Sequence, residues 1–108
     1  MLVNEGKKII MDVGDYGLPL IMKIVNASGQ ILNTDTIKFS IKKGNEVIVE
    51  KEYKDLQTDE NDKLYFTFSL TKEESEKLPE DKYIYEVEAY RDEVYLNTLM
   101  NNGLFLVE

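Results

Sequence analysis

Asp12 and Asp15 are the first pair of groups in the chain that could do chemistry, since two nearby carboxylates can divide the roles of general acid and general base. They flank Gly14, and no neighbouring residue would distinguish their roles or position a substrate. Gly14 and Gly17, only three positions apart, favour a turn or a bulge at this point. We therefore interpret Asp12 and Asp15 as turn residues.

A second acidic cluster consists of Asp55, Asp59, Glu60 and Asp62, and carboxylate oxygens are the ligands that Ca²⁺ prefers. An EF-hand loop requires glycine at its sixth position, which is Leu64 when the loop is counted from Asp59. The sequence therefore predicts a solvated acidic loop between residues 55 and 62, with weak cation binding as the alternative.

The chain contains no cysteine and no histidine. Zinc sites, disulfides, thiol nucleophiles and triads of the Ser-His-Asp type therefore lose their usual groups. We expect no catalytic residue, no bound metal and no cofactor, and so a protein that is not an enzyme. A small enzyme stays open as an alternative that would need a deep pocket lined by Asp12 and Asp15.

Composition and charge describe an acidic globular protein. The 108 residues suit one domain spanning positions 1–108, and they carry a formal net charge of −8. Such a surface repels nucleic acid and anionic membranes, and the pairs Lys7-Lys8 and Lys42-Lys43 are too short to form a basic patch. We expect neither nucleic acid nor membrane as a partner. The N-terminus lacks a signal-peptide pattern, which predicts a protein made in the cytoplasm.

Period-two alternation dominates the chain and predicts an all-β fold. In Lys82–Arg91, the residues Tyr83, Tyr85, Val87 and Ala89 share one face, as expected for a central strand buried on one side. Further strands are predicted at Lys7–Val13, Leu18–Val25, Thr36–Lys42, Glu46–Tyr53, Lys63–Leu70, Val94–Met100 and Leu104–Val107. Seven or eight strands with frequent turns indicate an antiparallel β-sandwich.

Finer features of these strands are also predicted. Leu18–Val25 is apolar on both faces, which suggests a strand inside a sheet. In the hairpin that follows Thr36–Lys42, Val47 and Val49 are expected to face the core. The segment Asn101-Asn102-Gly103 is expected to break the chain between the last two strands.

Turns and one short helix are predicted between the strands. Hairpin turns are expected at Lys43-Gly44-Asn45 and at Asp92-Glu93. Asn26-Ala27-Ser28-Gly29 is interpreted as a turn, although it also fits the Asn-x-Ser glycosylation pattern. Thr71 and Glu74 have capping-box spacing, which predicts a helix of one or two turns that bridges two strands.

Tyrosine is the most abundant aromatic residue, with seven copies and no tryptophan. By strand parity, Tyr16, Tyr65, Tyr90 and Tyr95 are expected to be partly exposed, and tyrosine is favoured at protein interfaces. Tyr90 and Tyr95 flank one predicted hairpin and are our candidate protein interface. Ordinary cross-strand packing is the alternative interpretation.

Several stretches together carry a family resemblance. They are Gly14-Asp15-Tyr16-Gly17-Leu18-Pro19-Leu20, Ser28-Gly29-Gln30, Thr36–Lys42, Ser69–Glu74, Lys82–Val87 and Asn97–Val107. Together they resemble the small Ig-like domains of bacteriophage tail and baseplate proteins. The nearest group is the N-terminal domain of phage baseplate upper proteins, with related head-fibre and tail accessory proteins.

This resemblance implies an Ig-like β-sandwich without catalytic residues. It also implies a structural or interaction module of a phage or prophage virion, whose partners are other virion proteins or further copies of itself. The alternative is a fibronectin-type or Ig-like binding domain of a bacterial surface or secreted protein, which Leu78–Tyr83 would also fit.

Overall fold

The computed structural model describes residues 1–24 and 30–108. These residues form nine strands and one short helix: β1 (Leu2–Glu5), β2 (Lys8–Met11), β3 (Leu20–Lys23), β4 (Thr36–Lys43), β5 (Glu46–Tyr53), β6 (Gln57–Thr58), β7 (Leu64–Phe68), α1 (Lys72–Glu76), β8 (Asp81–Arg91) and β9 (Val94–Val107). The turn and glycosylation pattern predicted at Asn26–Gly29, and Val25 of a predicted strand, lie outside the described residues.

Two sheets make up the described fold. The larger sheet has the order β1-β2-β9-β8-β4-β5, and the smaller sheet has the order β3-β7-β6. Pairing is antiparallel except between β2 and β9, which run parallel. The prediction of an all-β fold with one short helix is confirmed, and β8 is a central strand as its pattern indicated.

The core lies between the two sheets and is rich in aromatic rings. Ile37, Phe39 and Ile41 of β4 are fully buried, as their alternation predicted. The ring of Phe39 lies 4.4 Å from that of Phe68 in the smaller sheet and stacks at 5.2 Å on Tyr85 in the larger one. The Phe39 ring therefore contacts an aromatic ring in each sheet. Alternation along β4 places Phe39 on the face of the strand that is directed at the core.

Tyr85 on β8 contacts β4, β9 and the residue that precedes β2 in the larger sheet. Its ring stacks on Phe39 of β4 and lies directly against Gly103 of β9, its cross-strand partner. Its hydroxyl donates a hydrogen bond of 3.1 Å to the carbonyl of Lys7, just before β2. The same carbonyl accepts a bond from the Leu104 amide at 3.2 Å, where the parallel pairing of β2 with β9 begins.

The predicted break at Asn101-Asn102-Gly103 is wrong, because β9 continues through these residues to Val107. Three shifts of register relative to β8 bend the strand, and Asn102 has a φ of 56°. Gly103 is buried within the strand, where it leaves room for the Tyr85 ring. Here glycine signals a close approach of a side chain and not a turn.

The prediction of seven or eight strands is too low, since the described residues form nine. The sequence prediction begins the first strand at Lys7 and misses β1, which pairs with β2 through a turn where Gly6 has a φ of 64°. It also misses β6, a strand of two residues inside the acidic loop. Strands this short have too few residues to show alternation.

Two predictions about strand environment are also wrong. The structure places β3 at an edge of the smaller sheet and leaves Ile21 59% exposed, although Leu18–Val25 was expected inside a sheet. Val47 is 45% exposed, whereas Val49 is buried as predicted. A bulge opposite Ile41 and Lys42 adds one residue to β5, which turns Val47 away from the core.

The predicted capping box at the start of α1 is confirmed. The Thr71 hydroxyl accepts a hydrogen bond from the amide of Glu74, and the Glu74 carboxylate accepts one from the amide of Thr71. The same carboxylate lies 2.8 Å from the ammonium of Lys51 on β5 and so connects the helix to the larger sheet. Within the described ranges, no helix has the length and apolar character needed to cross a membrane.

Truncation of the central rings tests the assigned core. We expect Phe39→Ala or Phe66→Ala to lower the free energy of unfolding by about 3–5 kcal/mol, because each leaves a cavity between the sheets. Urea denaturation gives the measurement. Val47→Ala is the control and should stay within about 0.5 kcal/mol of the wild type. A near-neutral Phe39→Ala would show that the register of β4 is wrong.

The contact between Gly103 and Tyr85 can be tested separately. A Cβ atom on Gly103 would lie 2.9 Å or less from three atoms of the Tyr85 ring. We expect Gly103→Ala to cost about 1–3 kcal/mol of unfolding free energy, because the ring must shift in a packed core. Asn101→Ala, at an exposed position of the same strand, should change stability little. Equal effects of the two substitutions would argue against this contact.

Candidate protein interaction surface

The hairpin between β8 and β9 ends in a segment, Tyr90–Leu96, which we call the hairpin tip. Tyr90 and Tyr95 are cross-strand partners, and their rings meet edge to face with centroids 5.9 Å apart. These two tyrosines flank one predicted hairpin, and the structure brings them into direct contact. Edge-to-face packing of this kind stabilises the paired strands.

The two tyrosines are not equally accessible. Tyr90 is half-buried beneath the ammonium of Lys38, which lies 4.8 Å from the centre of its ring. Tyr95 is 52% exposed and its hydroxyl is 2.7 Å from that of Thr98, whereas Val94 is 65% exposed. The ring of Tyr95 is therefore the more accessible of the two, and the half-buried ring of Tyr90 packs against it.

The turn at the tip is tight and strained. Asp92 and Glu93 have φ values of 51° and 66°, as in a two-residue turn with both central residues left-handed. Asn-Gly is the usual choice in such a turn, and glutamate is disfavoured there because its Cβ crowds the backbone. The turn nevertheless holds two exposed carboxylates at the end of the hairpin.

An ion pair anchors the base of the tip. The guanidinium of Arg91 donates to both carboxylate oxygens of Asp35 at 2.9 Å and to the carbonyl of Gln30 at 2.8 Å. Asp35 is 1% exposed and also accepts a bond of 2.8 Å from the amide of Leu32. Arg91 is thus held against the loop that leads into β4, which fixes the point where β8 ends.

The electrostatics of this pair follow from its geometry. The Arg91 guanidinium holds the pKa of the Asp35 carboxyl below its usual value, with help from the Leu32 amide and against the effect of burial. The sequence pattern does not reveal Arg91 as the partner of Asp35. No local pattern could do so, because the two residues meet only when β8 pairs with β4.

Asp12 and Asp15 lie in a turn, as interpreted from the sequence. The amide of Asp15 donates to the carbonyl of Asp12 at 3.1 Å, and Gly14 has a φ of 86°. Both carboxylates contact the amino group of Met1, and they raise its pKa through these hydrogen bonds. The concavity beside Asp15 has no room for a water molecule.

The acidic loop uses its central carboxylate to hold its own backbone. One oxygen of Asp59 accepts bonds from the amides of Asn61 at 2.8 Å and Lys63 at 3.0 Å, and the other is 3.4 Å from the Lys23 ammonium. These contacts, the Lys63 amide foremost, lower the pKa of Asp59. Across residues 1–24 and 30–108, no three acidic side chains are grouped closely enough to hold a metal ion.

A comparison of the chain with protein-family models, with curated proteins and with solved structures found no match. Function is therefore inferred from the residues and their geometry. Of the sequence-derived candidates, the tip with Tyr90 and Tyr95 combines an exposed apolar surface with a rigid anchor.

The ion pair at the base of the tip makes a prediction about pH. The depressed pKa of Asp35 means that its contribution is fully present above the unfolded value of about 3.9 and is lost as pH falls through the folded value. We expect Asp35→Asn to lose about 1.5–3 kcal/mol of unfolding free energy at neutral pH. The difference from the wild type should shrink as the solution is acidified.

Urea denaturation at a series of pH values gives this measurement. Glu76→Gln, at an exposed position of α1, serves as the control for removing one carboxylate. A difference between wild type and Asp35→Asn that stays constant down to about pH 3 would contradict the assigned ion pair.

Proposed function

We propose that the chain is an Ig-like domain that acts as a non-enzymatic interaction module. Strand order supports the fold: β9-β8-β4-β5 corresponds to the order G-F-C-C′ of variable-type Ig domains, and β3-β7-β6 corresponds to B-E-D of the opposite sheet. In this correspondence β8 takes the place of strand F, and β4 that of strand C.

Side chains at two diagnostic positions fit the same correspondence. The hydroxyl of Tyr83, at the start of β8, donates to the carbonyl of Pro79 at 2.7 Å, in the manner of the tyrosine corner of strand F. Two residues later, where Ig domains carry the second cysteine of their disulfide, Tyr85 stacks on Phe39 of β4. An aromatic stack would then replace the disulfide and its packed tryptophan.

The observation that carries the functional proposal is the exposed apolar run at the hairpin tip. Val94 and Tyr95 are more than half exposed and Leu96 is 37% exposed. The ion pair of Arg91 with Asp35 anchors this tip of the hairpin. Exposed tyrosine and aliphatic side chains on a rigid element suit a protein partner, because little conformational entropy is lost on binding.

We propose further that the partners are components of a phage or prophage virion. Support comes from the resemblance of several segments to the Ig-like domains of phage tail and baseplate proteins, above all Thr36–Lys42, Ser69–Glu74 and Lys82–Val87. The acidic surface, with a net charge of −8, suits contact with other proteins better than contact with nucleic acid.

Incorporation into particles tests this function. We expect the chain to co-purify with phage particles from a strain carrying its gene, in a fixed ratio to a known structural protein measured by mass spectrometry. Val94→Ser with Tyr95→Ser should reduce incorporation several-fold, since the apolar contact is lost. Ile21→Ser, which removes an exposed apolar side chain from the smaller sheet, is the control.

The alternative is a binding domain of a bacterial surface or secreted protein. The bond between Tyr83 and Pro79 favours it equally, because fibronectin-type and other cell-surface domains share the sandwich architecture. The particle experiment separates the two functions. Absence of the chain from particles, together with its presence in the exported or surface fraction, would overturn the virion proposal.

A further inference from the structure

Most outer strand edges of the described fold carry a feature that discourages pairing with another chain. The strands β1 and β3 have four residues each, and β6 has two. The longer edge strand β5 carries four charged side chains, namely Glu46, Glu50, Lys51 and Glu52. Short length and charge are two of the usual protections of a sheet edge, and bulges that twist the edge are another.

One edge lacks both protections. On the side away from β8, the strand β9 pairs with β2 only from Leu104 to Val107. Among the described residues, none pairs with that side of Val94–Asn102, which we call the open edge. None of the 14 residues of β9 is charged, although 31% of the whole chain is. The open edge is therefore a long, neutral template for strand pairing.

We propose that the open edge pairs antiparallel with the open edge of a second copy of this chain, around a two-fold axis. This inference rests on the proposed function and names one partner of that interaction module. A two-fold axis makes the contact self-complementary and closed, so that it yields a dimer and not a filament.

The position of β2 limits the register of this pairing. Beside β9, the places opposite Gly103 and Leu104 are already taken by Lys7 and the start of β2. The turn between β8 and β9 of the second copy must therefore end before the position beside Gly103, which Lys7 occupies. An axis near Asn97 and Thr98 meets this condition. It brings the Asp92-Glu93 turn of each copy next to the turn between β1 and β2 of the other.

The two turns that meet have opposite charge. At the turn between β1 and β2, Lys7 and Lys8 outnumber Glu5, so that this turn is basic. The turn at the hairpin tip is acidic, because Asp92 and Glu93 form it. None of the two lysines and two acids takes part in an ion pair within the described part of the chain. Each acidic tip would find a basic partner in the dimer, and the contact occurs twice.

This complementarity favours a second copy over an unrelated strand. The chain has a net charge of −8, so that two copies repel at long range and need a neutral edge with locally matched ends. The register shifts along β9 increase its twist. A second copy brings the same twist to the pairing. The strained backbone of Asp92 and Glu93 fits this role, because strained residues cluster at functional sites.

Sedimentation velocity and light scattering of the purified chain test the dimer. We expect the mass to rise from one to two chains with concentration. Lys7→Glu with Lys8→Glu should raise the dissociation constant about tenfold or more, and so should Asp92→Lys with Glu93→Lys. An equimolar mixture of these two variants should again form a dimer, since every tip then meets an oppositely charged turn.

Restoration by mixing excludes a general loss of folding as the cause, and circular dichroism of each variant checks it directly. Glu46→Lys, at the exposed start of β5, is the control and should leave the dissociation constant unchanged. A strict monomer at all concentrations would overturn the proposal, and so would a dimer insensitive to both reversals. A monomeric chain that still enters particles would leave the proposed function standing.

Discussion

The close approach of the Tyr85 ring to Gly103 is the constraint on which the larger sheet depends. A ring this close to a neighbouring strand is possible only where that strand has no side chain, so that this contact requires glycine on β9. From that position the ring stacks on Phe39 and its hydroxyl reaches the carbonyl of Lys7. A single side chain on β8 therefore contacts β4 and β9 and is hydrogen-bonded to the residue that precedes β2.

That junction also shapes the surface of the protein. Because β2 begins beside Leu104, the last part of β9 is covered, while Val94–Asn102 extends beyond it without a partner among the described residues. The hairpin tip lies at the far end of this extension, where the pair formed by Arg91 and Asp35 anchors it. The proposed interaction surface is thus a consequence of where β2 starts.

Several polar contacts among the described residues connect segments that are distant in the chain. Arg91 and the Leu32 amide bond the carboxylate of the buried Asp35, and the Lys51 ammonium joins Glu74 at the helix to the larger sheet. Such contacts fix how loops dock on the strands. They contribute specificity to a fold whose stability comes largely from apolar and aromatic burial.

The sequence by itself determined the all-β class, the buried face of β4 and β8, and the capping box of α1, because each is encoded by local periodicity or spacing. It also chose Tyr90 and Tyr95 as flanking one hairpin. Only the tertiary structure decided the continuity of β9, the exposure of Val47 and the partner of Asp35. The first depends on a ring from another strand, the second on a bulge and the third on a contact between residues far apart in the chain. None of these leaves a local pattern.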